Sequence, residues 1–266
     1  MRPARLVTAF LLTAVLAAGG CATAPGNPFR NLGDKSAGGP TLEFATAGPI
    51  GIDAQLFNGS VSMVVDPSLQ VTEVSFTRRA SHGWGRGSEA KSSLDDITTS
   101  AEIVPGALGP VLQVRATTTN VEPHFQGVDV EIRSSAIVNV VVNTSKGWVF
   151  ARGVSGEIDI ETTDGDIRVL TAEPLTQPIT LRCEGGNVDL RMRSESRGEL
   201  RSEAVRGEVL QKIHHGTFVV RGGTDDDTLI GTLNGGTNPI DLRAVDGDVR
   251  VMVVRDPEQI GAVVVW

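Results

Sequence analysis

The chain has 266 residues, of which 40% are hydrophobic and 21% charged, shares that suit a folded globular protein and argue against a disordered or membrane-embedded one. Its 31 glycines, low aromatic content and lack of tyrosine favour many turns and thin packing layers over long helices. A net charge of −8 offers no basic field for phosphates, which excludes nucleic acid as a partner.

At the N-terminus, Arg2 and Arg5 lead an apolar run from Leu6 to Ala18 that ends in small residues before Cys21. This is the layout of a secretory signal peptide, and the run is too short for the ~20 residues that span a bilayer. The segment Leu16-Ala17-Ala18-Gly19-Gly20-Cys21 resembles the bacterial lipobox, with Ala18 where leucine is usual. The resemblance implies that residues 1–20 are removed and that Cys21 carries lipid. It further implies a lipid-anchored protein of the cell envelope, with Ala22 compatible with the outer membrane. The mature charge is then −10, because residues 1–20 hold two arginines and no acids. Cys183 is left without a disulfide partner, so backbone pairing and apolar stacking must hold the fold. Residues 21–40 carry Pro, Gly and Ser with little apolar periodicity and are expected to form a flexible tether.

Residues 41–146 read as a β-rich part. Alternating apolar positions such as Ile50-Ile52-Ala54-Leu56, Val61-Met63-Val65 and Val128-Val130-Ile132 predict strands. Between them, Ala90, Leu94, Ile97 and Ala101 fall at helical spacing behind Ser88, predicting one short helix over 88–101 with Ser88 as its cap.

From residue 147 to 266 the pattern is a repeat. Ile158, Ile179, Leu200, Phe218 and Ile240 recur about every 20 residues, and Ile167, Val188, Val209, Leu229 and Val249 recur between them. Two short strands in each ~20-residue coil are the mark of a solenoid, in which each coil buries its apolar face by stacking on its neighbours. Glycines recur before the strands, as tight reversals require. A constant register would place Glu161, Arg182 and Glu203 above one another as an alternating-charge ladder. The predicted fold is all-β, a β-solenoid preceded by a β-rich part with one helix.

The repeats Ser155-Gly156-Glu157-Ile158 and Asp164-Gly165-Asp166-Ile167, with the early segment Phe57-Asn58-Gly59-Ser60-Val61, resemble the bacterial adhesin-like domain family of G-D-[VI]-x-[VI] repeats. The likeness runs from about Thr41 to Trp266. It implies a β-solenoid of the cell envelope and brings no catalytic residue with it.

Gly222 to Leu229 is similar to one calcium-binding nonapeptide repeat. Asp227 and Leu229 fit, Asp225 replaces a glycine, and the next turn at Gly231 to Gly236 lacks the aspartate. Asp225 and Asp227 are therefore weak calcium candidates in an acidic turn, since such sites need stacked consecutive repeats. The pairs Asp164/Asp166 and Asp246/Asp248 recur at one place in the repeat and read as turn formers rather than glycosidase carboxylates. His214 and His215 are adjacent and would point to opposite faces of a strand. His82, Trp84 and Arg86 share one glycine-rich loop and are candidates for stacking on and hydrogen bonding to a sugar or peptide. No metal or cofactor is expected. The reading is a non-enzymatic, monomeric envelope lipoprotein with an adhesin-like or scaffold surface. Its partners are the membrane, through the N-terminal lipid, and an envelope protein or glycan. An envelope-stress regulatory accessory and a polysaccharide-active enzyme on a β-helix are the alternatives.

Overall fold

The computed structural model describes residues 33–46 and 48–259. Cys21, the signal segment and the start of the expected tether lie outside them. Apolar alternation commits the chain to strands, and these form two ten-stranded sheets. Seven times among the described residues, a strand of the sheet that contains Ile50–Leu56 turns a corner into a strand of the other sheet, and each such pair is one coil. In chain order, coil 1 is Ile50–Leu56 with Val61–Val65, and coil 2 is Gly109–Thr118 with Gln126–Ser134. Coil 3 is Ile137–Lys146 with Val149–Arg152, and coil 4 is Ser155–Asp164 with Ile167–Thr171. Coil 5 is Ile179–Gly185 with Val188–Arg193, coil 6 is Gly198–Ala204 with Val209–Ile213, and coil 7 is Pro239–Asp246 with Val249–Val254.

The coils pair in parallel, which makes the protein a β-solenoid, but they do not stack in chain order. Coil 1 lies between coils 2 and 3. Coils 3, 4 and 5 then follow in sequence. Coil 7 lies between coils 5 and 6. The first and last coils among the described residues are thus inserted one place in from an end of the stack. Antiparallel strands close the ends: Ile97–Gly106 and Val71–Ser81 flank coil 2, while Thr228–Leu233 and then Phe218–Val220 flank coil 6.

One core column shows what this order achieves. Leu112, Ile52, Val140, Ile158, Ile179, Ile240 and Leu200 sit in register across the stack, each 3% exposed or less. Burying each such side chain contributes about 1.5–3 kcal/mol, so the column is a main source of cohesion. At the corner the packing is closer still. Gly59, Gly147, Gly165, Gly186, Gly247 and Gly207 follow one another from coil to coil. Gly165 has φ +143°, and a Cβ there would come 2.2 Å from the carbonyl oxygen of Gly147, so only glycine fits. The residue after the glycine stitches the corners together: Asn187 N–H donates to Asp166 (2.8 Å), Asp248 N–H to Asn187 (2.9 Å) and Glu208 N–H to Asp248 (3.2 Å). Asp166 and Asp248 are accordingly turn residues.

Several expectations are corrected. Leu200 does not stack on Ile179, because Ile240 stands between them. Phe218 and Leu229 belong to the capping strands, opposite Leu233 and Ser202, and not to coils. The ladder runs Glu161, Arg182, Arg243, Glu203, with two arginines adjacent. The 146/147 boundary is no domain boundary, since coil 3 pairs with coil 1 before it and coil 4 after it. The tether ends early: Asp34–Gly38 is a strand paired with Thr77–Ser81, and Ala37 packs on the core. Backbone pairing to an open edge decides this segment against its glycine-rich composition. The helix is Gly87–Ser93, with a 3-10 turn over Leu94–Asp96. Arg86, not Ser88, is its N-cap residue, and from Ile97 the β-branched run Ile97-Thr98-Thr99 pairs as a strand instead.

Candidate functional site

The loop expected to hold a ligand leads from strand Val71–Ser81 into helix Gly87–Ser93 at the coil 2 end. Gly83 and Gly85, at φ +81° and +82°, shape its reversal. The structure joins two of its three candidates and leaves out the third. His82 turns inward and is 4% exposed, with Nε2 2.9 Å from Ser93 Oγ. Ser93 gives its own hydroxyl proton to the Ala90 carbonyl (3.1 Å), so His82 Nε2–H is the donor and the buried Nδ1 has no partner. Arg86 lies over the Phe125 ring at 5.4 Å and binds Glu89 (2.6 Å from Nε) and Glu122 (2.7 Å from Nη2). Trp84 points away, 79% exposed.

A ring nitrogen of His82 and carboxylate oxygens of Glu89 and Glu122 lie within 4.8 Å of one another, a grouping of metal-ligand type. The Arg86 guanidinium already binds both carboxylates, and it holds the Glu89 carboxyl below the usual range, with His82 adding to the effect. The position a cation would take is thus filled by the protein's own side chain. Ser93, His82 and a carboxylate also have the residue types of a nucleophile and its base, but Ser93 is 3% exposed and committed to Ala90. What the cluster does chemically is fasten helix and loop to the end of the solenoid, together with Gln126, whose side chain donates to the Ser93 carbonyl. Glu89, three residues beyond Arg86 on a helix, was legible as its partner. Glu122 and Phe125 were not, because a strand hairpin separates them from the loop.

A second arrangement covers the outward face of coils 5, 7 and 6. Arg182 reaches Asp241 at 2.7 Å and Glu161 at 3.4 Å, Arg243 reaches Glu203 at 3.3 Å, and Arg221 reaches Glu199 at 3.0 Å. With Arg201, whose side chain is 68% exposed, the four arginines and Asp241, Glu203 and Glu199 line an open trough of about 500 Å³. Such exposed pairs add ~0–1 kcal/mol each, so the face is better suited to contact than to holding the fold. Nearby, Cys183 is free and buried, its thiol is pushed up to about 12 by burial, and it donates to the Gly186 carbonyl (2.9 Å), which makes it unreactive. Asp159, in the same face, has one carboxylate oxygen buried without a partner, and burial raises its pKa, with Glu161 adding to the rise.

Asp225 and Asp227 lie in the exposed turn between the two capping strands at the other end. The Asp227 carboxyl is lowered by the Thr228 hydroxyl, which donates to it at 2.8 Å, and by Asp225. That turn belongs to no coil, so it has no stacked neighbour repeat to complete a calcium shell.

The Toastrack DUF4097 family profile matches residues 52–252, from coil 1 into coil 7. The chain belongs to the Toastrack DUF4097 family. The match runs across both regions that the sequence pattern separates, in keeping with one continuous Toastrack solenoid. A solved structure, a candidate cell adhesion protein from Clostridium sporogenes ATCC 15579, has the same fold at 10% identity and a TM-score of 0.52, covering 83% of this chain and 100% of that one. A candidate adhesin from Bacteroides fragilis NCTC 9343 matches at 12% identity and a TM-score of 0.25, over 83% and 97%. None of the curated proteins matches this Toastrack chain.

Proposed function

We propose that this Toastrack protein is a non-enzymatic lipoprotein of the cell envelope, anchored through Cys21, which presents the outward face of coils 5, 7 and 6 to an envelope protein or glycan. The observation that carries the reading is the open, arginine-lined trough on that face. Arginine is enriched at recognition surfaces because its planar fork makes several directed hydrogen bonds and stacks on rings. The adhesion name of the Clostridium structure and the lipobox-like segment point the same way. No helix among the described residues is long and apolar enough to cross a membrane, so a lipid is the anchor this reading needs.

The test is a glycan and cell-wall binding array with the purified full chain and an Arg201→Glu/Arg221→Glu variant. The proposal expects retention of one class of component and a loss of at least about tenfold in the variant, the size seen when a recognition contact is removed. Retention unaffected by the double reversal contradicts the trough. Cys21→Ser is expected to release the protein from membranes, and a variant still bound after a high-salt wash contradicts the anchor.

A further inference from the structure

Gly33 opens the described fold against the Trp84 loop. The His82 N–H donates to the Gly33 carbonyl at 3.3 Å, and a Cβ on Gly33 would come 1.8 Å from the Gly83 carbonyl oxygen. Eleven residues lie between Cys21 and Gly33, at most about 40 Å of fully extended chain. A lipid on Cys21 therefore tethers the stack to the bilayer through its coil 2 end, where the chain enters the fold.

That end carries side chains suited to such a position. Trp84 is 79% exposed and Val121 is 94% exposed. They flank one ion pair, because Arg86, two residues after Trp84, bonds to Glu122, the residue after Val121. Beside the helix, Lys91 and Arg78, whose Nη1 donates to the Leu94 carbonyl at 3.2 Å, line an open groove of about 420 Å³ with Ser88 and Asp95. Tryptophan settles at the headgroup level of a bilayer, where its ring is buried and its N–H stays wet, and cations there meet phosphate.

We propose that the coil 2 end is the membrane-proximal face, with Trp84 and Val121 seated at the headgroup level of the bilayer that holds the lipid anchor. This rests on the lipoprotein reading above and adds an orientation to it. Coil 7, at the centre of the trough, stands five strand spacings from coil 2, so the stack holds the trough about 25 Å off the membrane-facing end.

The test uses the full chain purified from membranes and returned to vesicles of phosphatidylethanolamine and phosphatidylglycerol whose acyl chains carry bromine near the glycerol. Bromine quenches tryptophan on contact. The expected result is a quenched emission that Trp84→Phe abolishes and Trp148→Phe retains. A protein that mass spectrometry shows lipidated at Cys21, with Trp84 unquenched, overturns the orientation and leaves the anchor standing. A protein without lipid at Cys21 overturns both.

Discussion

Ile179 is paired with Ile240, and Leu200 lies on the far side of Ile240, so coil 7 joins coil 5 to coil 6. Truncating Ile179 leaves a void against Ile158 and Ile240, and Ile179→Ala is expected to cost about 2–5 kcal/mol. Thr180→Ala, on the outward face, is expected to cost less than about 1 kcal/mol. Because stacked repeats share stability with nearest neighbours, hydrogen exchange in Ile179→Ala should quicken around Ile158 and Ile240 before Leu200. Equal costs at 179 and 180, or early loosening at Leu200, contradict the register.

The corner glycines give a sharper contrast. Gly165→Ala drives a methyl into the Gly147 carbonyl at a backbone conformation that L-residues rarely adopt, and is expected to cost more than about 3 kcal/mol. Gly85→Ala also sits at positive φ but meets no heavy atom within 4 Å, so it should cost only about 1–2 kcal/mol. Urea midpoints of the two variants measure the difference. Similar losses would show that conformation alone, and not the stacking of corner on corner, selects glycine.

Asp159 supplies a pH dependence. Its folded pKa is raised above the ordinary 3.8, first by burial and then by Glu161, so its ionisation favours the unfolded chain. This penalty is absent at pH values below the ordinary pKa and grows as pH rises through the folded value. Asp159→Thr, beside Thr180 on the next coil, should therefore match the wild type in the most acid range and exceed it at neutral pH. The gain at neutral pH comes from removing the ionisation penalty and, because the carboxylate is partly exposed and screened by solvent, is expected to be less than about 1 kcal/mol. Thermal melts across that range check it, and a variant less stable at neutral pH contradicts the unpartnered oxygen.

Much of this architecture is written locally. Ile158-Asp159-Ile160 and Val249-Arg250-Val251 announce inward and outward faces, and Gly165-Asp166 and Gly247-Asp248 announce corners, because each feature depends on residues a few positions apart. The order of coils is different in kind. Arg182, Glu203 and Arg243 occupy equivalent places in equivalent repeats, so periodicity fits either neighbour for Arg182 equally well. Only the meeting of distant segments decides it. The same limit hid Glu122 and Phe125 from Arg86, while the Trp84 loop was visible as a loop from its glycines. Asp34–Gly38 was missed because an edge strand draws on the backbone groups of Thr77–Ser81 rather than on its own composition.

The inserted position of coil 7 is the claim on which the rest depends, and a pair of cysteine cross-links tests it most directly. Adjacent strands lie about 4.8 Å apart, within reach of a disulfide, whereas strands two places apart are nearly 10 Å apart and beyond it. In residues 22–266 carrying Cys183→Ala, Arg182→Cys with Arg243→Cys should oxidise readily, because Arg182 and Arg243 are register partners. Arg182→Cys with Glu203→Cys should stay reduced, because coil 7 separates them. A disulfide between 182 and 203, with none between 182 and 243, would mean that the coils stack in chain order.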